Sequence, residues 1–189
     1  MKEKGENRGA NKIKNPRPYK DFVFAYYVWI ALAAIILWIG VKIVPHSPID
    51  WPLWITILGG IISFVFLVQK HRLEDLRLFK ELFVEFNHRY SLLNEEMNSI
   101  VRQENHNEAL SEKQKDSLFE YFNLCGEEYL FYKEGYILRE VWEVWIDGMA
   151  FFYEADPRIR DLWGKELALN PYYGFKLEFL EEKADALGL

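Results

Sequence analysis

Cysteine, histidine and glycine-rich motifs are scarce in this 189-residue sequence, and each shortage excludes a class of chemistry. The single cysteine, Cys125, rules out an internal disulfide and any cysteine-clustered zinc or iron–sulfur site. A lone thiol fits a reducing compartment. The four histidines, His46, His71, His88 and His106, fall in separate segments without metal-ligand spacing. No glycine-rich phosphate loop, nucleophile elbow or Cys/His pair is present, so the usual phosphoryl- and acyl-transfer machinery lacks its parts. The expectation is a protein with no catalytic residue, no cofactor and no metal: not an enzyme. Charge is scarce over one stretch only. Residues 22–69 hold one Lys and one Asp.

Around that stretch the charges are sorted by sign. Residues 1–21 carry seven Lys/Arg against three Asp/Glu, and residues 70–189 carry fifteen against twenty-five, a net of −10. The chain thus divides into a basic tail (1–21), an apolar block (22–69) and an acidic remainder (70–189) long enough for one domain. The tail is rich in Gly, Asn and Lys and is expected to be disordered, touching anionic lipid. The acidic balance argues against direct nucleic-acid binding, because phosphate contacts need clustered Lys/Arg.

Residues 22–41 are twenty uncharged positions, about 30 Å of helix and the thickness of a bilayer's hydrocarbon core. Residues 51–69 form a second uncharged run. Between them, Pro45 and Pro48 end one helix and forbid its simple continuation, so spans at 22–44 and 51–69 are expected to fold back as an antiparallel hairpin. Tyr26, Tyr27, Trp29, Trp38, Trp51 and Trp54 sit where interfacial aromatics belong, and Lys42 can snorkel to water. Lys and Arg flank the outer ends of both spans, which places both termini in the cytoplasm and the loop outside. A cleaved signal peptide is the weaker reading, since no small-x-small cleavage site follows the long apolar run.

Gly59, Gly60 and Ser63 make a small-residue patch on the second span, and Ala31, Ala33 and Ala34 narrow the first. Such residues serve either close packing within one hairpin or self-association between hairpins. No intramembrane carboxylate, charged pair or broken helix marks a transport site. One hairpin cannot enclose a channel, so a pore would need several copies.

Beyond the hairpin, Leu76, Phe79, Phe83, Phe86, Tyr90, Leu93, Met97 and Ile100 follow a 3-4 alternation. It starts so close to the second span that one long helix is expected to run from membrane into cytoplasm. Its bulky Phe residues favour the core-facing stripe of a bundle over a coiled coil. A polar loop is expected over 102–110. Ser111 with Gln114 then reads as a capping box, with Gly135 as the stop of the helix it opens. A third helix starts near Leu138. Asp156 and Pro157 pair an N-cap with a first-turn proline, and Asn170 and Pro171 form the matching stop. Residues 172–175 are a turn, and 176–187 a closing helix. The fold class is all-α: a two-span transmembrane helical hairpin followed by a cytoplasmic helical bundle.

Polar residues of this region read as structural. Glu127 and Glu128 are helix neighbours about 100° apart, expected on a solvated face rather than sharing a site. Arg89 and Arg139 are each expected to pair with a helical carboxylate, and His71 and Arg72 to meet lipid headgroups. Cys125 is expected as a buried, inert thiol. Aromatics are dense. Trp142, Trp145 and Trp163, with Tyr129, Tyr132, Tyr136, Tyr172 and Tyr173, either fill a small core or form a partner-binding surface. Trp142, Trp145, Trp163 and Tyr172 are the candidates for that surface.

The strings FNHRY at 86–90, YFNLC at 121–125, EEYLFY at 127–132 and GYI at 135–137, followed by Val141, Trp142, Trp145, Gly148 and Met149, resemble a group of small helical bacterial proteins. That resemblance covers about residues 79–175 and implies no activity. The layout of basic tail, two-span hairpin and cytoplasmic domain resembles the two-transmembrane effectors encoded beside bacterial retron reverse transcriptases. It implies an inner-membrane effector of antiphage defence, restrained by the reverse transcriptase and its multicopy single-stranded DNA (msDNA), that compromises the membrane on release and causes abortive infection. The partners it implies are the lipid bilayer, the reverse transcriptase–msDNA complex and further copies of the chain. The rival expectation is a constitutive membrane anchor carrying a helical interaction domain.

Overall fold

The computed structural model describes residues 18–43, 51–103, 105–169 and 172–189. Most of the basic tail, the proline-bearing loop and the Asn170, Pro171 stop lie outside the described residues. So do the side chains of Trp38, Lys42, Trp51 and Trp54. Helices α1 (Pro18–Ile43), α2 (Trp51–Val101), α3 (Glu112–Lys133), α4 (Arg139–Ala155), α5 (Pro157–Leu169) and α6 (Leu177–Leu187) follow in order, with a 3₁₀ turn at Tyr172–Gly174. The fold is all-α, and no strand occurs among the described residues. Helix α1 takes in residues 18–21, which the composition had assigned to the tail.

Helices α1 and α2 pack against each other. Their seam holds Ala31 and Val68, both buried, with Tyr27, Ile35, Ile57, Ile61 and Val65 half-buried along it. Gln69 Nε2 donates to the Tyr27 hydroxyl at 3.3 Å and ties the two helices together. The other apolar side chains point outward: Trp29, Ile36, Leu37, Ile55, Ile62 and Phe66 are all exposed. Among the described residues, α2 contains over Ile55–Val101 an apolar stretch long enough to cross a bilayer, with only 6% of it buried, and α1 has a shorter apolar stretch at Ala25–Leu37. A soluble core helix of that composition would be covered on most sides.

Helix α2 is unbroken for 51 residues, about 77 Å at the usual rise, and runs from its contact with α1 straight into the bundle. The 3-4 seam is covered only in its second half. Leu76 and Phe83 remain exposed, whereas Phe86, Met97 and Ile100 are completely covered. Leu78 and Phe79 pack partly against the core and Leu82 is the first α2 residue buried in it, so cover from α3 and α4 fades toward Leu76.

Helix ends obey local chemistry. Ser111 and Gln114 make the reciprocal capping box, with Gln114 N–H donating to Ser111 Oγ at 3.3 Å and Ser111 N–H to Gln114 Oε1 at 2.9 Å. At the other end of α3, Gly135 takes φ 74°. Its N–H donates to the Tyr132 carbonyl at 2.8 Å, and Tyr136 N–H donates to the Phe131 carbonyl at 2.9 Å. This is a Schellman closure, and the Phe131 and Tyr136 rings meet across it at 6.2 Å. Asp156 ends α4 and starts α5, accepting the Arg158 N–H at 2.8 Å.

Asp156 is also the root of a buried polar network. Its carboxylate accepts from Arg158 Nη2 at 2.6 Å and lies 3.1 Å from His106 Nδ1. Arg158 reaches on to the Ile100 carbonyl, Gln103 Oε1 and the Glu108 carbonyl, so it caps the end of α2 and holds the 102–110 loop. Between the helices the core is largely aromatic. Trp163 is sandwiched between Phe122 at 4.6 Å and Phe175 at 5.8 Å, and Trp142 stacks on Tyr132 at 4.9 Å. On α6, Leu180 and Ala184 are buried, and Lys183 bridges Glu143 and Asp147 of α4.

Candidate functional site

Where α2, α3 and α4 meet, packing leaves a cavity of about 540 Å³. Helix α2 contributes Phe83, Asn87 and Tyr90, and α3 contributes Tyr121 and Glu128. The α4 wall runs from Glu140 through Val144 and Trp145 to Gly148 and Met149. Trp145 is half-buried and set in place by stacking on Phe83 at 6.1 Å and an edge contact with Phe86 at 5.9 Å. No Lys or Arg lines this space.

Glu128 is the unusual member. Only 6% of it is exposed, and its carboxyl accepts no hydrogen bond from another described residue. Burial pushes its pKa up to about 8 against the pull of Arg89, and the charge of Glu127 adds to the rise. At neutral pH this carboxyl is therefore mostly protonated. It can donate to an acceptor or, once ionised, face a cation. The expected solvated pair is thus overturned. Glu127 is half-buried and paired with Arg89, while Glu128 turns inward. The signal was in the spacing, since Tyr121, Cys125, Glu128 and Tyr132 repeat at 4-3-4 and all are buried.

On the far side of the Arg89–Glu127 ion pair lies a shallower, polar hollow of about 370 Å³, with Glu120 and Asn123 on its wall. Cys125 is buried and free, and burial followed by the nearby Glu128 charge pushes its thiol well above the usual range. Arg139 pairs along its own helix with Glu143 at 3.5 Å, and His71 sits 3.5 Å from Glu74.

The four aromatic candidates separate. Trp142 and Trp163 are each 1% exposed and belong to the core, so a partner surface built on them is excluded. Trp145 lines the cavity. Tyr172 is half-buried against Gly126 and donates to Glu166 Oε2 at 3.2 Å. The small-residue patch has a different outcome. Gly59, Gly60 and Ser63 are exposed, and a Cβ added at either glycine would meet nothing within 4 Å. The α1 contact runs along Ile57, Ile61, Val65 and Val68, and at 100° per residue Gly59 and Ser63 fall on the opposite side. Close packing against α1 is therefore not what these residues do. The chain matches no family model, and neither a curated protein nor a solved structure is significantly similar to it.

Proposed function

We propose that this chain is a two-span protein of the bacterial inner membrane, with spans 22–44 and 51–69, both termini cytoplasmic, and a helical domain held at the membrane by α2. The reading goes further: the hairpin is the working part of a retron-type antiphage effector. It is restrained by a reverse transcriptase–msDNA partner and associates with other hairpins when released, compromising the membrane and causing abortive infection. The observation that carries it is the outward-facing apolar surface of α1 and α2, with Gly59 and Ser63 open on the side away from α1 and Gly60 open on its flank. The net −10 of residues 70–189 directs the restraining contact to the protein partner rather than to DNA.

The constitutive-anchor reading draws on one observation, the unbroken α2, which would hold the bundle near the bilayer without any lytic role. Induction of the chain in bacteria, with and without its neighbouring genes, separates the two through entry of a membrane-impermeant dye. Dye entry with the chain alone, suppressed by the neighbours and lost in Gly59→Leu/Gly60→Leu at unchanged membrane insertion, is the expected result. No entry in any arm, phage challenge included, sinks the effector reading and favours the anchor. A fully toxic double variant removes the small-residue face from the mechanism.

A further inference from the structure

The cavity between α2, α3 and α4 has aromatic walls, acidic polar groups and no base. Glu128 and Glu140 both line it, and the nearest guanidinium, Arg89, is engaged with Glu127. An anion would find no partner there. A wholly apolar guest would cover the Glu128 carboxyl, which is 6% exposed, and give it no hydrogen bond in exchange for water, which is costly. A cation meets both needs, since ring faces attract it and a carboxylate can accept its N–H groups. At about 540 Å³ the space lies within the range of small-molecule sites.

We propose that this cavity is a binding site for a small organic amine, its ammonium on the Glu128 carboxylate and its apolar body against Trp145, Phe83 and Tyr121. The site does not depend on the membrane-effector reading. Binding draws the Glu128 proton into solvent, because a cation alongside stabilises the carboxylate. Burial, Arg89 on α2 and Glu127 on α3 set this titration, and Tyr90 on α2, Tyr121 and Cys125 on α3 and Glu140 on α4 are the other titratable groups around the carboxyl.

The test is calorimetric titration of the full chain in detergent micelles, with empty micelles as the blank. The probes are 2-phenylethylamine, its neutral counterpart 2-phenylethanol and the anion 3-phenylpropionate. The amine is expected to bind saturably, roughly tenfold or more tighter than the alcohol, with no binding of the anion. At pH 7, buffers of different ionisation heat should report release of about 0.9 proton per amine, as a carboxyl of pKa about 8 requires. Glu128→Gln should lose the amine's advantage and the proton release while keeping the alcohol's weak binding. Gly148→Met should lose both ligands, since a side chain there enters open space and fills the cavity. Equal binding of amine and alcohol, unchanged amine affinity in Glu128→Gln, or no binding above empty micelles overturns the proposal. Near-UV circular dichroism of each variant confirms that the bundle remains folded.

Discussion

Replacing Glu128 by Gln should make the bundle more stable, and by an amount that depends on pH. The carboxyl has an ordinary value of 4.5 when the chain is unfolded and about 8 in the folded protein. Between those values the folded state holds a proton that the unfolded state has released. The unfolded state binds fewer protons, so stability falls as pH rises through this window. Integrating the difference, Glu128 weakens the fold by about 1 kcal/mol at pH 5, about 3 at pH 7 and about 5 once both states are ionised above pH 9. Gln has nearly the same shape as protonated Glu and never ionises, so it removes only the pH-dependent part. Urea unfolding of wild type and Glu128→Gln in the same micelles, followed by Trp fluorescence, measures that difference. The gap between the two should be near zero at pH 4 and should widen to several kcal/mol at pH 8. A gap that stays flat from pH 5 to pH 8, or a Gln variant weaker than wild type at pH 7, would refute the claim that Glu128 is buried without a partner.

Further perturbations probe the rest of the fold. Arg158→Met should cost about 3–5 kcal/mol, because it leaves the Asp156 carboxylate in the core without its guanidinium partner. In a double-mutant cycle, adding Asp156→Asn should restore part of that loss, and strictly additive losses would deny the coupling. Burial pushes the Asp156 carboxyl up, but hydrogen bonds from Arg158 and His106 outweigh it and hold it below its ordinary 3.8. Its stabilisation should therefore be present above pH 3.8 and fade only as acid titrates the folded carboxylate, visible as a late acid transition in far-UV circular dichroism. Gly148→Ala should raise the melting stability by about 0.5–1 kcal/mol as an unopposed gain in helix propensity. Gly126→Ala should gain nothing or lose about 1 kcal/mol, because its Cβ would meet Tyr172 at 3.1 Å. Tyr173 holds φ 59°, so Tyr173→Asn should stabilise by about 0.5–1 kcal/mol in the same melts, and a destabilised variant would show that the ring contributes more than the backbone strain costs.

Much of this molecule was legible one residue at a time. The capping box at Ser111, the glycine stop at Gly135 and the Asp156, Pro157 start depend on groups within a few positions of one another, so local sequence states them. The apolar seam of α2 was legible as a pattern but not in extent. Periodicity says which side of a helix is apolar, not where neighbouring helices arrive to cover it, and full burial against them begins only at Leu82. Glu128 shows the opposite error. Judged by residue type it belonged in water, and judged by its register with Cys125 and Tyr132 it belonged inside. The stripe prevailed, because turning α3 to free one carboxyl would expose Leu118, Phe122 and Cys125.

By itself the sequence determined the all-helical character, the helix boundaries set by caps and prolines, and the separation of a basic tail, an apolar block and an acidic domain. Each of these follows from local backbone chemistry or from the tally of charge along the chain. Tertiary structure alone decided that Trp142 and Trp163 are core while Trp145 faces a cavity, that Gly59 and Ser63 turn away from α1, and that Arg158 ties the end of α2 to the start of α5. Those outcomes depend on which surfaces meet across tens of residues. Such meetings are settled by the joint packing of several helices, and no single segment of sequence encodes them.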